Sequence, residues 1–184
     1  MLLTIDMGNT NIVLGCLEGE RVLFTERMAT SLRQTELEYA VMFQSVLELY
    51  GISPQSLDGI IISSVVPPLI PVLRAALGKL TETAVMVVGL ELDTGLRLRM
   101  DNPAAVGSDL IVDAVAASAL YGTPVIVIDM GTATTFSVLD KQGDYVGTFV
   151  QPGARISLDS LTSHAAKLPK IGLTVPEKVV GRNT

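Results

Sequence analysis

Two short segments combine a carboxylate, a glycine and hydroxyl or amide side chains directly after an apolar run. They are Asp6-Met7-Gly8-Asn9-Thr10 and Asp129-Met130-Gly131-Thr132. Glycine has no Cβ, so the backbone at Gly8 can approach a ligand closely, and the N–H groups that follow can donate to phosphate oxygens. An aspartate repels phosphate, but it can hold a metal ion or its waters, and the metal then bridges to the phosphates. Each segment is therefore typical of one part of a nucleoside triphosphate site.

The two segments belong to an internal repeat. Residues 4–10 read TIDMGNT and residues 127–134 read VIDMGTAT, and each leads into a second apolar run, a turn and a third run. A single Asp-Gly turn could simply end a strand, but its duplication favours two matching phosphate-binding turns on either side of a nucleotide cleft. A repeat of about 120 residues predicts domains at 1–120 and 121–184, with the second domain incomplete.

A third carboxylate, Asp109, lies in the sequence Gly107-Ser108-Asp109-Leu110, where a helical pattern begins. The helix dipole stabilises the ionised form of a carboxylate in the first turn. An ionised carboxylate can accept a hydroxyl proton during phosphoryl transfer. Ordinary capping of the helix would explain the same residue, and spacing alone does not choose between these two interpretations.

These residues need an α/β scaffold to position them. Apolar runs predict strands at 2–5, 11–16, 21–27, 59–65, 84–88, 125–128, 135–139 and 145–150, and helical patterns cover 35–50, 69–77, 108–120 and 155–166. The first helix opens with Thr35 and Glu38 at capping-box spacing, and its apolar residues include Leu37, Val41 and Leu47. Strands interleaved with helices indicate an α/β architecture.

The composition fits a folded domain and excludes several classes of protein. The 184 residues are 48% hydrophobic with a net charge of −6, and a nucleic-acid binder would need a basic patch. The longest apolar stretch contains three prolines and is too short to cross a membrane. Cys16 and His164 are the single residues of their types, so a disulfide within the chain and a zinc site of several cysteines are excluded, and we do not expect a histidine-rich metal site. We expect a buried Cys16, a surface His164 and a reducing, cytoplasmic setting.

In this order and spacing, the motifs resemble those of the type III pantothenate kinases. Residues 6–10 are similar to the D-x-G-N-T motif of that family, residues 129–135 to its D-x-G-T-A-x-T motif, and Gly107-Ser108-Asp109 to its G-A-D substrate motif. Gln151-Pro152-Gly153 resembles its P-G turn, and residues 168–170 and 181–184 resemble its L-P-x and G-x-N-T stretches. The resemblance covers nearly the whole chain and implies the duplicated ribonuclease-H-like domains of the actin-like superfamily.

The resemblance also implies a reaction and a set of residue roles. ATP would phosphorylate pantothenate to 4′-phosphopantothenate, the first step of coenzyme A synthesis, with Asp109 as the base on the hydroxyl group. ATP or its Mg²⁺ would be bound by Asp6, Gly8, Asn9, Thr10, Asn11, Gly131 and Thr132, and a monovalent cation (K⁺ or NH₄⁺) by Asp129. Pantothenate would be contacted by Met100, Gly107, Ser108, Leu110 and Thr184. A homodimer with the substrate near the subunit interface is implied as well.

The chain departs from the family pattern at three positions. Leu110 stands where the family usually has arginine, Met100 where an aromatic residue often lies, and Gly147-Thr148 where two glycines are expected. Arginine is the natural partner of a carboxylate, so Arg97 or Arg99 is a candidate replacement. Two other hypotheses stay open: a non-catalytic nucleotide-binding accessory or regulatory homologue, and a sugar- or acetate-kinase-like member of the superfamily.

Overall fold

The computed structural model describes residues 1–89, 92–165, 172–175, 178 and 180. The chain divides into two compact units, Met1–Leu96 with Asn102–Val115, and Arg97–Asp101 with Ala116–Thr184. The domain division predicted at residue 120 stays a prediction. Among the described residues, no helix is both long and apolar enough to cross a membrane.

A five-stranded mixed sheet forms the centre of the first unit. Its strands are β1 (Leu2–Met7), β2 (Asn11–Glu18), β3 (Arg21–Ala29), β4 (Gly59–Ser64) and β5 (Val85–Val87), in the order β3-β2-β1-β4-β5. The first three strands are antiparallel neighbours, whereas β4 and β5 run parallel to β1. The register sets Asp6 beside Val13 on β2 and beside Ser63 on β4, so Asp6 and Ser63 project from the same face of the sheet.

The opposite face of this sheet packs into the hydrophobic core. Alternate residues of β1, β2 and β4 are buried there, namely Leu3, Ile5, Met7, Ile12, Leu14, Cys16, Ile60 and Ile62. They share the core with buried residues of α1 (Glu36–Leu49) and α2 (Ile70–Gly78). Cys16 is buried, which confirms the prediction made for it. It packs in the core as a small hydrophobic side chain.

Helix α1 begins where the sequence predicted. The backbone nitrogen of Glu38 donates to the Thr35 hydroxyl, and the backbone nitrogen of Thr35 donates to the Glu38 carboxylate at 2.7 Å, which completes a capping box. The buried face of α1 differs from the predicted one, because Leu37 and Val41 are 60% and 56% exposed. The residues it buries are Tyr39, Ala40, Phe43 and Leu47.

The second unit contains a three-stranded antiparallel sheet. Its strands are β6 (Val125–Met130), β7 (Ala133–Leu139) and β8 (Tyr145–Pro152), in the order β6-β7-β8, and α4 (Ala154–His164) follows them. This order and pairing match β1-β2-β3, so the predicted repeat of strand, turn and strand is confirmed. Helix α3 (Ser108–Tyr121) precedes the second sheet. His164 is exposed at the end of α4, as expected.

Candidate active site

The turn between β1 and β2 carries the first predicted phosphate-binding segment. Asp6 lies one residue before the end of β1 and is exposed. The Gly8 nitrogen donates to the Asn11 carbonyl at 2.9 Å, which closes the turn and leaves Asn9 and Thr10 exposed at its tip. The structure therefore brings the predicted residues 6–11 together on one short turn.

Thr30, which follows β3 directly, supports this turn. Its hydroxyl donates to the Gly8 carbonyl at 2.7 Å, and its nitrogen donates to the Thr10 carbonyl at 3.0 Å. These bonds fix the backbone on both sides of Asn9. The sequence analysis missed Thr30, because no local spacing relates it to a turn that lies two strands earlier.

Asp6 and Ser63 also line a cavity on the sheet face opposite the core. The cavity has a volume of about 330 Å³ and is mostly apolar, with Val13 and Val112 of α3 among its walls. An acidic side chain thus lies at the border between this cavity and the turn after β1. The Asp6 carboxylate, which is predicted to bind a metal ion, therefore lies beside a cavity that is lined mainly by apolar side chains.

Asp109 lies in the first turn of α3 and is half-buried. Its Oδ1 atom accepts a hydrogen bond from the Leu110 nitrogen at 2.8 Å. A Cβ atom on Gly107 would lie 2.4 Å from the same oxygen, so the observed carboxylate position requires glycine at residue 107. Gly107 and Leu110 therefore determine, from either side, how the carboxylate is oriented.

The side chain of Ser108 is directed towards β4. It is buried, at 8% exposure, and its hydroxyl oxygen accepts hydrogen bonds from the Ser64 nitrogen at 2.9 Å and the Ser63 hydroxyl at 3.2 Å. These bonds join the first turn of α3 to the carboxyl end of β4. A contact between Ser108 and the substrate stays a prediction.

The second predicted phosphate-binding segment forms the turn after β6. Asp129 is exposed one residue before the end of β6, and the Gly131 nitrogen donates to the Ala133 carbonyl at 2.9 Å. The Gly153 nitrogen donates to the Thr132 carbonyl at 3.0 Å. Because Gly153 is the N-cap of α4, this bond brings the positive end of a helix to the turn, where it favours an anion.

The segment that carries Met100 attaches to the start of β8. The Tyr145 nitrogen donates to the Arg97 carbonyl at 2.8 Å, and the Arg99 nitrogen donates to the Tyr145 carbonyl at 2.8 Å. Arg99 also binds the buried Asp144 carboxylate through its Nε atom, and the Arg97 Nη1 atom lies 3.6 Å from that carboxylate. The two arginines considered as replacements at residue 110 are therefore both paired with Asp144.

The acidic residues suit a metal that is held partly by phosphate. Among residues 1–89, 92–165 and the short described stretches after them, no three acidic, histidine or cysteine side chains cluster into a metal cage. Mg²⁺ is commonly bound by one or two carboxylates with water and substrate phosphates. A single exposed carboxylate beside each turn, from Asp6 or Asp129, fits this mode of binding.

Some predicted residues cannot be placed. Thr184 and the motifs at residues 168–170 and 181–184 lie outside the described residues. The remaining ones, apart from Met100, fall into three groups: the turn at residues 6–11, the start of α3 at residues 107–110, and the turn at residues 129–132. Met100 is half-buried on the segment attached to β8.

Comparisons with known proteins bear on the family and the fold of this chain. The family model described as Type III pantothenate kinase matches residues 2–184. The type III pantothenate kinases of Halalkalibacterium halodurans and Brevibacillus brevis are each 45% identical over 184 residues, which is 100% of this chain and 72% of each relative. The solved activator of 2-hydroxyisocaproyl-CoA dehydratase from Clostridium difficile, with bound ADPNP, matches with a TM-score of 0.53 at 11% identity, covering 88% of this chain and 51% of that one. The solved structure bears on the fold alone, which is the α/β fold of the actin-like ATPases. The chain belongs to the type III pantothenate kinase family.

Proposed function

We propose that this chain transfers the γ-phosphoryl group of ATP to the hydroxymethyl group of pantothenate, and that Asp109 accepts the hydroxyl proton. The family match over residues 2–184 supports the reaction. The observation that supports the role of Asp109 is its position in the first turn of α3, with Oδ1 bound by the Leu110 nitrogen. This bond holds the carboxylate in one orientation.

In the proposed mechanism, Asp109 acts as a general base. The pantothenate oxygen forms a bond to the γ-phosphorus, its proton passes to Asp109, and the bond from the γ-phosphorus to the bridging oxygen of ADP breaks. Phosphoryl transfer depends mainly on positioning and charge stabilisation. A well-placed general base contributes about 10²- to 10⁴-fold to the rate.

We assign the phosphates of ATP to the two turns. Backbone and side-chain donors of Asn9, Thr10 and Asn11 would serve one turn, and those of Gly131 and Thr132 the other. The first turn is supported for this role by its bonds to Thr30. The second is supported by its bond to Gly153 at the N-terminus of α4.

The two exposed aspartates would hold the cations. Asp6 would bind Mg²⁺ through water or directly, next to Gly8, and Asp129 would bind K⁺ or NH₄⁺. When bound, Mg²⁺ neutralises charge on the phosphate oxygens. The carboxylates hold the cations beside the turns, while the N–H groups of the turns bind the phosphates.

Pantothenate would lie against the start of α3. Gly107 leaves space beside the base, and Leu110 is an apolar contact for the two methyl groups next to the reacting hydroxymethyl group. Met100 and Thr184 would contact the rest of the substrate. We further propose a cytoplasmic homodimer, a proposal that rests on the family resemblance.

The test of the reaction is a panel of substrates with detection of products by mass. Pantothenate, acetate and a set of sugars are incubated with ATP, Mg²⁺ and K⁺, and each incubation is repeated without K⁺. The proposal expects 4′-phosphopantothenate as the product and a strong dependence of its formation on K⁺. Binding of ATP and pantothenate without any product would instead support the hypothesis of a non-catalytic accessory protein. Phosphorylation of a sugar or acetate would support the hypothesis of a sugar- or acetate-kinase-like enzyme.

A further inference from the structure

We propose that Ser108 is a positioning residue of this kinase. Its hydroxyl joins the first turn of α3 to the carboxyl end of β4 and thereby fixes the direction of the Asp109 carboxylate. The proposal rests on the role proposed above for Asp109.

The first step is the burial and saturation of the Ser108 hydroxyl. Ser63 and Ser108 are 6% and 8% exposed. The Ser108 oxygen accepts one hydrogen bond from the Ser64 nitrogen at 2.9 Å and one from the Ser63 hydroxyl at 3.2 Å, which uses both of its lone pairs. Removal of this oxygen would leave the Ser64 nitrogen without its acceptor, and such a loss is unfavourable where water is scarce.

The second step is the rigidity of the element to which Ser108 binds. Ser63 and Ser64 are in parallel register with Asp6 and Met7 of β1, and the Val65 nitrogen donates to the Met7 carbonyl at 3.0 Å. The end of β4 is therefore held against the end of β1, where the turn that we assign to the ATP phosphates (residues 6–11) begins. The hydrogen bonds of Ser108 thus connect the helical turn that contains Asp109, the proposed base, to β4. Strand β4 in turn pairs with β1, which contains Asp6.

The third step leads from Ser108 to the carboxylate. Asp109 is the next residue of the same helical turn, and its Oδ1 atom is bound by the Leu110 nitrogen. A shift of this turn away from β4 moves both the carboxylate and the nitrogen that orients it. The Ser108 hydroxyl, bound to β4, acts through Asp109, so its loss lowers kcat and leaves KM for ATP unchanged.

The test compares Ser108→Ala with Ser108→Thr, which keeps the hydroxyl, and with Ser118→Ala, which changes a serine further along the same helix. Amide hydrogen exchange at Ser64 and Leu110 is measured by NMR, and kcat and KM are measured with ATP and pantothenate. For Ser108→Ala we expect exchange at both amides to be about tenfold faster and kcat to fall about five- to twentyfold, as for a lost buried hydrogen bond. Ser108→Thr restores both values, and Ser118→Ala changes neither.

Unchanged exchange at Leu110 together with unchanged kcat in Ser108→Ala would overturn the proposal. A fall in stability without any change in kcat of the folded protein would overturn it as well, since it would show a purely structural role. If the unaltered chain forms no phosphopantothenate, the proposed function fails, and exchange at Leu110 alone then decides whether Ser108 holds the turn. If Ser108→Ala does not fold, Ser63→Ala removes only the 3.2 Å bond and is expected to show the same changes, smaller in size.

Discussion

The backbone nitrogen of Gly153 lies 3.0 Å from the carbonyl oxygen of Thr132. A Cβ atom on Gly153 would lie 2.5 Å from that oxygen and 2.3 Å from the Gly131 oxygen. Both atoms belong to the backbone and cannot move aside as the end of a flexible side chain can. Only glycine therefore allows the start of α4 to approach the turn after β6 this closely.

Gly153→Ala is expected to displace this turn. Overpacking of this kind costs about 1–3 kcal/mol, and we expect ATP to bind at least about tenfold more weakly because the phosphate donors move. Denaturant unfolding and calorimetric titration with ATP measure the two effects. Gly147→Ala on β8 is the matched control, since no atom lies within 4 Å of its added Cβ. Equal stability and equal ATP affinity of the two variants would contradict the assignment of the turn after β6 to the phosphates of ATP.

Thr30→Val tests the support of the first turn. The substitution keeps the shape of the side chain and the backbone bond to Thr10, and it removes the hydroxyl that donates to Gly8 at 2.7 Å. We expect a loss of about 1 kcal/mol in stability and a rise of about three- to tenfold in KM for ATP. Thr25→Val, at an exposed position of β3, serves as control. A KM for ATP that does not move in Thr30→Val would show that the turn keeps its conformation without this bond.

The sequence could predict the parts of the site that are local. The apolar runs ending in Asp6 and Asp129 identify strands, because a short apolar run bounded by turn residues and rich in β-branched side chains is typical of a strand. The Asp-x-Gly order then locates each turn. The capping box of α1 was predictable for the same reason, since Thr35 and Glu38 are three residues apart and interact within one helical turn.

The connections between elements could not be predicted in this way. Ser63 and Ser108 are joined through the fold, as are Thr30 and Gly8, and no helical or strand period relates the members of either pair. The face of α1 that is buried could not be predicted from the sequence either. The helix has apolar residues on more than one side, and packing against α2 and the sheet, not periodicity, selects the side that contains Phe43.

Gly107→Ala tests the orientation of the proposed base. The added Cβ would lie 2.4 Å from the Asp109 Oδ1 atom, and the carboxylate, being the end of a side chain, would rotate away from the Leu110 nitrogen. We expect kcat to fall at least about tenfold with KM for ATP unchanged. The fold should persist, as circular dichroism and thermal unfolding can verify.

Gly78→Ala at the end of α2 is the control for this substitution, because nothing lies within 4 Å of its added Cβ. Wild-type kcat in Gly107→Ala would show that the observed carboxylate position is irrelevant to turnover. A fall in kcat in both variants would show that the effect is not specific to Asp109.

The N-terminus of α1 gives the stability a defined pH dependence. The pKa of Glu38 lies below its ordinary value of 4.5, because its carboxylate accepts hydrogen bonds from the backbone and hydroxyl of Thr35. A lowered pKa in the folded state means that this group stabilises the fold above pH 4.5 and loses that effect as the pH falls through the lowered pKa.

The free energy of unfolding should therefore differ most between the unaltered chain and Glu38→Gln above about pH 5, and the difference should shrink towards about pH 3. Denaturant titrations across this range measure it. Glu82→Gln, at an exposed position outside α1, is the control. Its difference in the free energy of unfolding from the unaltered chain should not shrink in this way as the pH falls. A constant difference for Glu38→Gln at all pH values would contradict the role of the capping box.

The most direct test of the central claim is to compare Asp109→Asn with the unaltered chain in one assay. Formation of 4′-phosphopantothenate is followed by mass in the presence of ATP, Mg²⁺ and K⁺, and ATP affinity is measured on the same preparations. Asparagine keeps the shape of the side chain but cannot take the proton, so we predict a rate lower by about 10²- to 10⁴-fold with ATP affinity unchanged. An Asp109→Asn protein that forms product at the rate of the unaltered chain would contradict the account.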